Sequence, residues 1–216
     1  MEKTAISGRE VTVAAAELQV YINALPRLRT ENLAITVTGD LTQKLVLSGF
    51  YGSGSFHFYP QNNQTVFRAG IEATNCAVLV ELHNLQFQLP LVGAFDGDAC
   101  VRAGAFSHVI LVGCSFTGTA DSLLPVPLHA HDGGIEIATS LRASYCGAVA
   151  LVVRAGIAVI SCSEEDPSPL HDNHWGVHTW EGGIAIIANS YTPTLLGGTA
   201  HHHQGGAVIN YDGTLV

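Results

Sequence analysis

The stretch "SHVILVGCSFTG", residues 107–118, decides how this chain is read. Two later segments echo it, "AGIAVISCSEED" at 155–166 and "GGIAIIANSYTP" at 182–193. Each runs through alternating aliphatic residues into a small or polar pair and then a turn. Alignment of the aliphatic runs sets Cys114 against Cys162, with Asn189 in the corresponding place of the third copy. The intervals are 48 residues (162 − 114) and 27 (189 − 162), and Leu85 in "AVLVELHNLQF" lies 29 before Cys114 (114 − 85). A unit in the mid-to-high twenties, once doubled, accounts for all three. A repeat of that length cannot bury its apolar face alone, so copies must stack. Strand-only units exclude helical repeats, and three short strands with corners fit the length. The expected architecture is a β-coil whose inward positions form ladders of Val, Ile, Leu and Cys.

Composition agrees with an ordered, β-rich chain. Of 216 residues, 47% are apolar and 12% charged, with 23 glycines, which is far from the composition of disorder. The segments "FRAG" (67–70), "VRAG" (101–104), "LRAS" (141–144) and "VRAG" (153–156) recur between the strands. At the front, "VTVAAAELQVYINALPRL" (11–28) reads as the one helix. Leu18, Ile22 and Leu25 form its apolar stripe and Pro26 limits its end. The division that follows is a cap over residues 1–40 and a coil over 41–216, with loop insertions near 119–134 and 164–181.

Formal net charge is −9, and Arg154 is the last basic residue. A nucleic-acid partner needs Lys and Arg to displace phosphate counterions, so that class is excluded. The same deficit argues against a polyanionic glycan in the C-terminal half and favours neutral glycans or metal cations. Cys76, Cys100, Cys114, Cys146 and Cys162 are odd in number, lack a C-x-x-C pair and sit in apolar runs, as free thiols used as small filler do. "MEKTAISGREVTV" lacks the basic and apolar regions of a signal peptide, and no membrane insertion is expected.

The run "VILVGCSFTG" resembles the rung consensus of right-handed parallel β-helix proteins of the pectin-lyase-like superfamily. The front end, "VTVAAAELQVYINALPRLRTENLAITVTGD", resembles the entry module of β-helix proteins from phage tails and prophages, where a strand and an amphipathic helix cover the open end of the coil. The resemblance implies an all-β solenoid, a single-stranded right-handed parallel β-helix with an N-terminal α/β cap. It also implies a non-enzymatic tail-fibre, spike or baseplate protein, a homotrimer that meets other phage tail proteins and a bacterial surface glycan. Such a protein is made in the bacterial cytoplasm and ends in the virion. The alternative is a polysaccharide-degrading hydrolase or lyase of the same superfamily.

Three histidine-rich segments carry the candidate chemistry. "LHAHDGGIE" sets His129 and His131 at i, i+2 on one strand face, where with Asp132 or Glu136 they could share a metal ion. "PLHDNHWGVHTWEGG" (169–183) holds His171, His174, Trp175, His178 and Trp180, a set suited to stacking and hydrogen-bonding a sugar. Asp172 and Glu181 in the same segment would be general acid and base if the protein were a glycosidase. In "TAHHHQGG", His201 and His203 would face one way and, around a threefold axis, could supply six imidazole nitrogens to a divalent metal. Asp96 and Asp98 in "FDGDAC" resemble part of a calcium loop. No cofactor is required by the main reading, and a divalent ion is the one candidate.

Overall fold

The computed structural model describes residues 8–88, 99–162, 170–188 and 199–209. Strand β1 (Gly8–Ala14) leads through one 3-10 turn into helix α1 (Leu18–Ala24), followed by β2 (Asn32–Thr38) and β3 (Leu45–Ser48). The helix is shorter than the sequence predicts, because residues 11–14 belong to β1. "VTV" is β-branched, and such side chains lose rotamer freedom in a helix but pack well on a pleated sheet. Here β2 supplies the partner, with Val11 beside Ile35 and Val13 beside Val37. Leu25 is extended (ψ 145°), as a residue before proline must be.

From β4 onward the chain coils. Its strands are β4 (Ser55–Pro60), β5 (Val66–Phe67) and β6 (Ile71–Thr74), then β7 (Leu79–His83), β8 (Gln86–Gln88) and β9 (Ala99–Gly104). The next coils are β10 (His108–Val112), β11 (Ser115–Thr117) and β12 (Val126–His131), then β13 (Ile135–Thr139), β14 (Arg142–Ser144) and β15 (Ala148–Val153). Last come β16 (Ile157–Ile160), β17 (Leu170–His171) and β18 (Trp175–Trp180), then β19 (Ile184–Ile187), β20 (Thr199–Gln204) and β21 (Ala207–Ile209). Every pairing between these strands is parallel and joins equivalent strands of neighbouring coils. Three faces result. Sheet I runs β1-β2-β4-β7-β10-β13-β16-β19-β21, sheet II β17-β14-β11-β8-β5, and sheet III β20-β18-β15-β12-β9-β6-β3. The protein is a parallel β-solenoid of about 6 turns.

The repeat read from the sequence is one coil. Gln86, Ser115 and Arg142 are in register, so Leu85, Cys114 and Leu141 precede equivalent positions, and Leu141 N–H donates to Ser161 O just before Cys162. All four side chains are buried. Cys114 and Cys162 thus stand two coils apart, with Leu141 between them. Asn189 lies outside the described residues.

Along sheet I, coil length varies from 22 (157 − 135) to 29 (108 − 79) residues. In sheet II the interior holds a ring column: Phe67, Phe87 and Phe116, with centroids 5.5 and 4.7 Å apart. It tapers to Ala143 on the next coil. In sheet I, Leu33, Phe56, Val80, Val109, Glu136, Ala158, Ala185 and Val208 form one inward row. Aliphatics were expected at every inward place. Instead the later coils put alanine there and turn isoleucine outward: Ile110, Ile137, Val159, Ile186 and Ile209 make an outer row, each half-buried.

The cap closes the first edge. Leu18 and Ile22, one turn apart, are fully buried. Gln19 reaches β3, where its Nε2 donates to Val46 O (3.0 Å) and its Oε1 accepts from Val46 N–H (2.6 Å). One side-chain amide therefore stands in for a missing strand at the edge of sheet III, where unpaired backbone groups would otherwise invite association.

The corner from sheet III to sheet I is the most regular element. Two consecutive residues are left-handed on four successive coils: Ala105–Phe106, Asp132–Gly133, Arg154–Ala155 and Glu181–Gly182, with φ between 45° and 80°. At the third place of three of these corners, a Cβ on Gly134, Gly156 or Gly183 would run into the carbonyl of Ala103, Ala130 or Val152. The "DGG", "RAG" and "EGG" triplets are this corner. The other "VRAG", at 101–104, is not equivalent to it. It lies inside β9 with Arg102 facing outward.

Strands lie within both of the expected loop insertions. Residues 126–131 form β12, and 170–171 and 175–180 form β17 and β18. Of the histidines there, His129, His131 and His178 belong to the outer face of sheet III, which polar side chains line without breaking the ladder.

Candidate functional site

The outer face of sheet III gathers much of the sequence-predicted chemistry. Register places Glu72, Arg102, His129, Leu151 and His178 in one row along the stack. A neighbouring row includes His131 beside Val153. Trp180 closes β18, and the corner residues Asp132, Arg154 and Glu181 flank that row. Charge read along the sequence had denied basic residues to this region. Stacking brings Arg102 and Arg154 from earlier coils beside Trp180 and Glu181.

A pocket of about 490 Å³ opens here. Arg102 and His129 line it from the earlier coils, Leu151 and Val153 from β15, and Arg154, Trp180 and Glu181 from the corner side. Arg102 Nε–H donates to His131 Nε2 (2.8 Å). His131 therefore carries its proton on Nδ1, which lies 2.7 Å from Asp132 Oδ2. Arg154 Nε closes on the other oxygen of Asp132 at 2.9 Å, and Arg102 Nη1 lies 3.9 Å from Glu72. The hydrogen bond from His131, reinforced by Arg154, holds the Asp132 carboxyl below its usual range. His129 is the opposite case. Burial, then the nearby Arg102 guanidinium, brings its imidazole down to about 3. Neither ring nitrogen of His129 has a hydrogen-bond partner among the described residues, nor does the Trp180 indole N–H.

His129 and His131 do share a face, with ring centroids 5.1 Å apart, yet they do not form the expected metal site with Asp132. Both nitrogens of His131 are engaged, and two guanidinium groups oppose a cation. Glu136 is no substitute ligand, since it points into the interior, fully buried. Burial pushes its carboxyl well above the usual range. The main-chain amides of Ala103 and His129 pull the other way without reaching hydrogen-bonding geometry.

His178 lies against Trp180 (centroids 5.5 Å). His174 is exposed in the turn before β18, and His171 and Trp175 lie on β17 and β18. Asp172 and Glu181 stand at opposite ends of β18. Six residues of strand span roughly 17 Å, beyond the ~5–9.5 Å between glycosidase carboxylates. They do not form the expected acid–base pair. His201 and His203 hold the register positions of Val177 and Thr179, and His202 that of His178. Asp96 and Asp98 lie outside the described residues.

Sequence reasoning missed Arg102 and Arg154 as site residues. For Arg154 the signal was the corner triplet "RAG", read as a repeat rather than as a turn that projects its arginine, whereas Arg102 lies inside β9 and only the stacking register brings it to the site. Comparison with known proteins finds no matching family model, no matching curated protein and no matching solved structure. No described helix is long and apolar enough to cross a membrane.

Proposed function

We propose that this solenoid is a non-enzymatic phage or prophage tail-fibre, spike or baseplate component that attaches to a bacterial surface glycan through the outer face of sheet III. The observation that carries the reading is the pocket beside Trp180. An indole ring offers an apolar platform for a sugar face, while its N–H and the two nitrogens of His129 are polar atoms without partners among the described residues. Buried polar atoms in that state call for an external partner, which a hydroxyl-rich ring supplies. Arg102 and Arg154 suit a glycan that bears an isolated carboxylate, and the net charge of −9 disfavours a polyanion.

The stacked coil with its entry strand and helix supports the likeness to pectin-lyase-like tail proteins. The outward isoleucine row of sheet I supports self-association, proposed as a homotrimer, because soluble monomers rarely leave large apolar patches bare. Binding is favoured over hydrolysis because the described pocket wall presents one carboxylate, Glu181, where glycoside hydrolysis ordinarily uses two.

The test is a bacterial-glycan array followed by calorimetry on the best binder, with the wild type and Trp180→Ala. The expected outcome is saturable binding weakened at least tenfold by the substitution. Absence of binding across the array in every assembly state, or equal binding by both proteins, would overturn it.

A further inference from the structure

The first coil carries a second cluster, on the outer face of sheet I and remote from the pocket. His57 on β4 is in register with Glu81 on β7, and His83 follows two places along β7 on the same face. Glu81 Oε2 lies 3.1 Å from His57 Nδ1 and 2.9 Å from His83 Nε2. Donor atoms of the three residues all lie within 4.8 Å of one another. Ligands of a tetrahedral zinc ion, at ~2.0–2.1 Å from the metal, stand about 3.3 Å apart. The cluster is close to that spacing.

A second observation points the same way. Metal-binding imidazoles ordinarily give their other ring N–H to a fixed acceptor, which sets the tautomer. The Nε2 of His57 lies 2.6 Å from Ser55 Oγ, and Ser55 Oγ–H donates to Asn32 Oδ1 (2.8 Å). With the one serine proton so committed, Ser55 accepts from His57 Nε2–H, and the Nδ1 lone pair is left facing Glu81. Tyr59 stacks on the ring of His83 at 4.6 Å and 13°, which fixes that ligand too. His57 is buried, while Glu81 and His83 keep about a fifth of their side-chain surface in solvent, so an ion has a way in.

We propose that His57, Glu81 and His83 bind a divalent first-row metal ion, zinc by preference, through His57 Nδ1, His83 Nε2 and the Glu81 carboxylate. Two imidazoles and one carboxylate suit that class, and the fourth position is open to water. The ion ties β4 to β7, the first two full coils above the cap. The proposal stands apart from the glycan reading and shares no residue with it.

The test uses the full chain, stripped with EDTA, dialysed and titrated with zinc chloride by calorimetry and with cobalt(II) by visible absorption. The expected result is one equivalent bound, with the d–d bands of a low-coordinate nitrogen–oxygen site. His83→Ala should weaken uptake at least a hundredfold and Ser55→Ala about tenfold, while His201→Ala/His203→Ala should leave it unchanged. If His83→Ala does not fold by circular dichroism, Glu81→Gln replaces it. Zinc-induced shifts of the His57 and His83 imidazole resonances in the wild type provide a readout that needs no variant. No stoichiometric uptake by the wild type, or uptake that survives His83→Ala and vanishes in the His201/His203 variant, would overturn the proposal.

Discussion

Arg102 donates its Nε–H to His131 Nε2 at 2.8 Å, across one coil and 29 residues of sequence. The same guanidinium is the principal charge that keeps His129 neutral, second only to burial. The folded value of His129, about 3, lies below the unfolded value near 6.5. Its contribution to stability is therefore present above pH 6.5 and is lost as pH falls toward 3. Arg102→Met should raise the His129 value in an NMR titration and flatten the acid limb of the stability curve. An unchanged His129 titration would refute the coupling.

Glu136 gives the opposite pH signature. Its carboxyl is held well above the unfolded value near 4.5, so the folded chain retains a proton that the unfolded chain has released. Stability falls as pH rises from 4.5 toward the folded value. Glu136→Gln should match the wild type at pH 4 and exceed it at pH 8 by about 1–3 kcal/mol, the scale of an uncompensated buried polar group. Denaturant unfolding at the two pH values decides this, and a difference independent of pH would contradict it.

Gly156 marks where the corner admits no side chain, because a Cβ would meet the Ala130 carbonyl. Gly156→Ala should cost about 2–4 kcal/mol, visible as a lower denaturant midpoint. Ala155→Gly, at the left-handed place beside it (φ 59°), should instead be neutral or stabilising by up to about 1 kcal/mol. Equal losses from both would show that the corner geometry is not the cause.

Gln19 seals the edge strand β3 with both ends of its amide. Gln19→Met keeps the bulk and removes both hydrogen bonds to Val46, so a loss of about 1–3 kcal/mol is expected, with concentration-dependent association beyond that of the wild type. Unfolding curves and light scattering measure the two effects, and a variant with both the stability and the assembly state of the wild type would count against the sealing role.

All five cysteines are free and buried. Burial pushes the Cys114 and Cys146 thiols up to about 12 and Cys100 well above its usual value. Thiolates are the reactive form, so a disulfide reagent should label these three slowly in the native protein and fully in denaturant. Rapid native labelling of Cys114 would mean that the coil opens locally.

The stacking itself was legible in "VILVGCSFTG" and its echoes, because inward ladders impose like residues at each turn. So was the buried stripe of Leu18 and Ile22. Cross-coil neighbours were not. Along sheet I coil length shifts between 22 (157 − 135) and 29 (108 − 79) residues, so nothing in linear spacing sets Arg102 beside His129 or His57 beside Glu81. Glu136 shows a second limit: in "GGIEIA" the alternation turns Ile135 and Ile137 outward and the carboxylate inward, against the usual preference. The start of α1 failed for another reason. "VTV" can serve helix or strand, and only the free edge of β2 decides between them.

The left-handed corner has a further consequence for how this scaffold changes over time. Its first position holds Ala105, Asp132, Arg154 and Glu181 on an unchanged backbone, so neutral, acidic and basic groups are interchangeable there. Side-chain chemistry along that rim can be rewritten one residue per storey without disturbing the packed shaft, so the surface is free to vary while the architecture stays put.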